Sequence, residues 1–126
     1  MNQKTTFTVT LPSGLVDDLP YFVETCGFHS DPEELVADSV RGLFMEVIED
    51  GGECLSQWAD DFENTCRVCP DRADLNVIVT EDLHDAIQST IAPMGYGFWQ
   101  FVGMALERSF SILHTYCEDA ICSDRE

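Results

Sequence analysis

The sequence predicts a mainly helical fold carrying one two-stranded antiparallel ribbon, in the order β-α-α-(α)-β-α-α. Three observations predict it. Two short stretches, 5–11 and 74–79, alternate apolar and polar residues with the period of two that a half-buried strand requires. Each is followed by apolar stripes at helical spacing. The second strand with its helices also repeats the polarity of the first, so the chain reads as an internal duplication.

In the first strand Phe7, Val9 and Leu11 alternate with Thr6, Thr8 and Thr10. Pro12 and Ser13 end it and open a helix, since proline cannot donate to a ladder but suits a helix start. The stripe of that helix is Leu15, Val16, Leu19, Phe22, Val23 and Cys26. Pro20 falls on the opposite face and predicts a kink without a break. Gly27 closes the helix, as a left-handed C-terminal residue favours glycine. The next helix opens on Asp31 as cap, Pro32 at its first position and Glu34 at its third. Its stripe is Leu35, Val36, Val40, Leu43, Phe44 and Val47.

Gly51-Gly52 ends that helix, and Cys54, Leu55, Trp58 and Phe62 predict a short linker helix. The pattern then recurs. Setting Leu11 against Val79 brings Phe7, Val9, Leu15, Leu19, Val23 and Gly27 onto Leu75, Val77, Leu83, Ile87, Ile91 and Gly95. Past the glycine the second copy is two residues shorter. Leu35, Val36, Val40, Phe44 and Val47 then meet Phe101, Val102, Leu106, Phe110 and Leu113. A strand of about six residues cannot satisfy its backbone groups alone, so the two strands are expected to pair with each other.

The run Phe7-Thr8-Val9-Thr10-Leu11-Pro12, followed by Gly27-Phe28, resembles the ribbon-helix-helix family of transcriptional repressors (the MetJ/Arc/CopG class). Residues 74–113 resemble it more weakly. The resemblance implies a tandem ribbon-helix-helix pseudo-dimer in one chain. Copy one would span 1–48, an acidic helical linker with Cys-x2-Cys 49–73, copy two 74–114, and a cysteine-containing acidic tail 115–126, all one intertwined globular domain. It further implies a DNA-binding transcriptional regulator whose ribbon enters the major groove of double-stranded operator DNA. The candidate DNA-binding residues are then Thr6, Thr8 and Thr10 of copy one, Asn76 of copy two, and Lys4. Asp74 would be repelled by phosphate and Ile78 could make only apolar contact. The family also anchors phosphates at the start of each second helix. Copy one has Asp31, Glu33 and Glu34 there, which repel phosphate, and copy two has Tyr96, Gly97, Phe98 and Trp99. The alternative is the same fold without DNA contact, used for protein–protein interaction or homo-oligomerisation.

Charge bears on that choice. Against 24 Asp plus Glu stand 6 Lys plus Arg, for a formal net charge of −18. Lys4 is the only lysine, and no part of the chain escapes the acidic excess. Such a balance disfavours polyanion binding in dilute salt, because phosphate contacts come from Lys and Arg, and it disfavours anionic membranes. It resembles proteins of halophiles that hold molar potassium, of the haloarchaeal or haloarchaeal-virus type. At 1 M salt the Debye length is about 3 Å and self-repulsion is screened. The longest apolar stretch, Met94 to Leu106, is too short to span a bilayer. The N-terminal residues lack the apolar core of a signal peptide, so a cytoplasmic location is expected.

Six cysteines exceed what packing needs in a chain of this size. Cys66-x2-Cys69 has the spacing of a thiolate pair on tetrahedral zinc, and Cys117 with Cys122, or His114 with Cys117, could complete the set. A redox-responsive dithiol and unremarkable thiols are the other readings. Cys26 and Cys54 lie on apolar helical faces and are expected in the core. No cofactor is required. His29 and His84 have no nucleophile or acid at a catalytic spacing, and no phosphate loop, zinc-protease motif or nucleophile elbow occurs, so an enzyme is not expected.

Overall fold

The structure, a computed structural model, describes the backbone of residues 3–124 and the side chains as far as residue 115. Strand β1 (Lys4–Pro12) leads into α1 (Ser13–Cys26) and α2 (Pro32–Asp50), and α3 (Cys54–Val68) follows. Strand β2 (Arg72–Thr80) then leads into α4 (Glu81–Ile91), a 3-10 turn (Ala92–Met94) and α5 (Phe98–Asp124). The two strands pair antiparallel, from Lys4 opposite Thr80 to Pro12 opposite Arg72, with Thr8 opposite Asn76 at the centre.

Alternation decides which face of this ribbon is covered. Val9, Leu11, Val77 and Val79 are buried, while Thr6, Thr8, Thr10, Asp74 and Asn76 are exposed. The covered face rests on the helical stripes read from the sequence: Leu15, Leu19 and Phe22 of α1, Leu35, Val36, Val40 and Leu43 of α2, Ile87 and Ile91 of α4, and Phe101, Val102 and Leu106 of α5. The second helix of each half crosses over, so that α2 packs against β2 and α5 against β1, and the two also pack on each other.

The helix ends follow from the residues placed there. Gly27, Gly51 and Gly95 close their segments at φ 71°, 73° and 89°, where a Cβ would be strained. The Asp31 carboxylate accepts the Glu34 amide at 2.8 Å at the start of α2, and the Thr80 hydroxyl accepts the Leu83 amide at 3.1 Å at the start of α4. Helix α1 differs: its cap position is Pro12, which offers no side-chain hydrogen bond.

The structure departs from the sequence reading at four places. The strands are longer than 5–11 and 74–79 by one or two residues at every end. The linker helix is not short: α3 has 15 residues and includes Cys66, because its stripe finds α5 to lie on. Helix α5 runs unbroken to Asp124, so no break separates 74–114 from the segment after it. Cys26, expected as a core thiol, is disulfide-bonded and only partly buried, its sulfur 3.9 Å from the Leu113 carbonyl oxygen. Among the described residues no helix is long and apolar enough to cross a membrane.

Candidate nucleic-acid interface

The outer face of the ribbon collects the even positions of β1 and β2, except Pro12, which is buried, and Thr80, which caps α4. Lys4, Thr6, Thr8 and Thr10 stand on one strand, with Arg72, Asp74, Asn76 and Ile78 on the other. All five candidate DNA-binding residues therefore share one surface, on the side of the ribbon away from the core. That follows from strand period alone.

Cross-strand hydrogen bonds set what this surface can offer. Thr8 Oγ1 donates to Asn76 Oδ1 at 3.0 Å, and Thr10 Oγ1 donates to Asp74 Oδ1 at 2.9 Å. With its proton committed, Thr8 keeps acceptor lone pairs, and Asn76 keeps its NH2 as a donor. The centre of the ribbon thus carries an acceptor beside a donor, the complement of the N6 donor and N7 acceptor on an adenine edge. Asp74 is held by Thr10.

The ends of the ribbon are cationic. Lys4 lies opposite Thr80 at one end, and Arg72 opposite Pro12 at the other. The Arg72 guanidinium folds back onto the carbonyl oxygens of Cys69 at 2.6 Å and Asp71 at 3.3 Å. This fixes its place while leaving the side chain exposed. Sequence reasoning passed over Arg72, although its even position in register with Asp74 and Asn76 was the signal. Two cations against one carboxylate make this face locally basic in a chain whose net charge is −18.

The two flanks are unlike. Beside β2, a cleft of about 500 Å³ is lined by Lys4, Asp31, Glu33, Glu34, Arg41 and Ile78. Its carboxylates satisfy the start of α2 and repel anions. Beside β1, a more open groove of about 750 Å³ runs past Thr6, Thr8, Thr10, Arg72, His84 and Trp99. Among the described residues no carboxylate lines it. Here the Gly97 amide is already met by Gln100 Oε1 at 2.7 Å, so the start of α5 is capped from within. His84 stacks on Phe7 with ring centroids 3.9 Å apart, which makes it a wall of the groove. His29, which the sequence left without a carboxylate partner, meets Asp38 at 3.0 Å.

The cysteines divide. Cys54, Cys66 and Cys69 are free thiols, each partly buried. Cys117 and Cys122, named with Cys66 and Cys69 as a candidate zinc set, lie outside the residues whose side chains are described. Among the described residues a different trio gathers: Glu46, Asp50 and Cys54 each bring one donor atom within 4.8 Å of the others. Each is otherwise employed. Glu46 accepts Arg108 Nε at 2.5 Å. Asp50 accepts the Gly52 and Cys54 amides, bonds that hold its carboxyl below the usual range against a smaller opposing burial effect. Burial, with the nearby Asp50 carboxylate, pushes the Cys54 thiol up to about 12, so it stays protonated. The donors sit four residues apart across a helix end and a Gly-Gly turn, a spacing with no ligand motif to announce it.

Comparison of the chain with family models, with curated proteins and with solved structures finds no match to any of them.

Proposed function

We propose that the chain is a tandem ribbon-helix-helix pseudo-dimer and acts as a DNA-binding transcriptional regulator, reading the major groove with the exposed face of its ribbon. The observation that carries the reading is this face: a polar, locally basic strip on an acidic chain, with Thr8 and Asn76 at its centre and Lys4 and Arg72 at its ends. The pseudo-dimer is supported by the spacing of equivalent elements. Thr8 and Asn76, the central pair, are 68 residues apart. The starts of β1 and β2, the starts of α1 and α4, and the left-handed glycines Gly27 and Gly95 have that same separation. An approximate two-fold axis through the central pair would exchange the halves, and the crossed packing of α2 on β2 and α5 on β1 obeys it.

One observation favours the second reading, in which the fold binds protein instead. The cleft beside β2 places Asp31, Glu33 and Glu34 where a flanking phosphate would lie. The two readings separate in a binding assay with duplex DNA over potassium chloride from dilute to molar. The DNA-reading protein retains sequence-selective binding at high salt, where phosphate repulsion is screened, and Thr8→Ala lowers discrimination by about 1 kcal/mol, the low end of a base contact, with the fold intact. Absence of binding at every salt concentration gives first place to the protein-binding reading.

A further inference from the structure

Cys69 stands where α1 lacks a cap. Helix α4 is capped by the Thr80 hydroxyl, but the equivalent position before α1 is Pro12. There the Asp71 carbonyl oxygen accepts the Ser13 amide at 2.9 Å, and the Cys69 sulfur lies beside it. It lies 3.5 Å from Ser13 Oγ and within van der Waals reach of the position a Cβ on Gly14 would take, at 3.8 Å. Either atom of the Ser13–Cys69 pair can donate, and the sulfur also reaches the Asp71 carbonyl oxygen at 3.8 Å. Ser13 and the Gly14 amide hold the thiol below its usual range, against burial and the Asp71 charge. Donors and a helix N-terminus stabilise a thiolate. Three residues earlier, at the end of α3, Cys66 is partly buried, and burial pushes its thiol up against the opposing charge of Arg72. Arg72 binds the Cys69 carbonyl oxygen at 2.6 Å and the Cys66 carbonyl oxygen at 3.5 Å, so one guanidinium ties both residues to the ribbon's end. The Cys69 amide still donates to Thr65 O at 2.9 Å. Cys69 itself is already extended, at φ −116° and ψ 92°. The pair therefore spans the last turn of α3 and the residue that ends it, and its Cβ atoms must come to the ~3.5–4.5 Å of a disulfide to close.

We propose that Cys69 and Cys66 form a thiol–disulfide exchange site for low-molecular-weight disulfides, with Cys69 as the attacking thiolate and Cys66 as the resolving thiol. The Cys69 thiolate attacks one sulfur of the incoming disulfide, whose S–S bond breaks. One thiolate leaves and takes a proton from water. Cys66 then gives up its proton and attacks the Cys69 sulfur, expelling the second thiol. The protein loses two protons and two electrons, and the small disulfide takes up both pairs to become two thiols. Closing the pair draws the Cys69 sulfur off Ser13, while the Asp71 carbonyl oxygen keeps the Ser13 amide. The site stands whether or not the ribbon reads DNA.

The test uses the full chain with limiting oxidised glutathione as probe, followed by peptide mapping, and iodoacetamide alkylation for rates. The expected result is a Cys66–Cys69 linked peptide. Cys66→Ser should accumulate a mixed disulfide with glutathione on Cys69, and Cys69→Ser should form none on Cys66 over the same time. Cys69 should alkylate at least about tenfold faster than Cys54, and Ser13→Ala should slow it several-fold with an unchanged circular dichroism spectrum. A mixed disulfide arising first on Cys66, alkylation of Cys69 no faster than Cys54, or a zinc ion held by Cys66 and Cys69 in protein purified under reducing conditions overturns the proposal.

Discussion

At the scale of single residues, burial and hydrogen bonding assign different work to groups of the same kind. Glu107 of α5 is partly buried, and burial raises its carboxyl above the usual range, against the lowering effect of the hydrogen bond from Thr65 and with Asp61 adding to the rise. A carboxyl raised in the folded state binds its proton more tightly there than in the unfolded chain. The cost of its charge is thus present above the folded value and gone below the unfolded one. Glu107→Gln, which keeps an acceptor for Thr65, should raise the melting temperature at neutral pH, and the gain should vanish as pH falls through the carboxylate range. A gain that persisted under acid would point to packing instead. Residue roles were legible where period fixes direction, as for Thr6, Thr8, Thr10 and Asn76. They were hidden where a long-range partner decides. Nothing near Ser13 in sequence announces the Cys69 sulfur, and nothing near Thr10 announces Asp74.

At the scale of elements, the stripes of α1, α2 and α4, the Asp31 cap of α2 and the Gly27 end of α1 could be read because they are local: a 3.6-residue period, Asp31 before Pro32, a glycine where the backbone turns left-handed. The extent of α3 could not, since its length depends on what it lies against. Gly103 shows the contact. It sits within α5, and a Cβ there would fall inside the ring of Phe62, which is 4% exposed and packs edge-on to Trp99. Alanine is the better helix former by about 1 kcal/mol. Overpacking a filled site costs about 1–3 kcal/mol, and the ring has little room to retreat. Gly103→Ala should therefore destabilise the protein in urea titration, despite its gain in helix propensity. A stabilised variant would mean that α3 is not seated on α5 in this way. A glycine within a long apolar helix was the sequence signal for this close approach, and composition alone could not say which element approached.

For the whole molecule, charge and the ribbon are the two properties that matter. A net charge of −18 spread over the surface destabilises the compact state by self-repulsion that salt removes. The melting temperature should rise steeply between about 0.1 M and 1 M potassium chloride, with most of the gain reproduced by sodium chloride. A flat response would remove the argument for a high-salt setting. The halves of the ribbon are equivalent in position but unlike in chemistry, threonines on one strand and Asp74, Asn76 and Ile78 on the other. A DNA site read by such a ribbon should be non-palindromic. The measurement that tests the central claim most directly is selection of bound duplexes from a random-sequence pool in molar potassium chloride, with wild type and Asn76→Ala in parallel. The account predicts enrichment of one short asymmetric motif by the wild type, with preference at its central adenine relaxed by Asn76→Ala. A pool that stays random with the folded wild-type protein would contradict it.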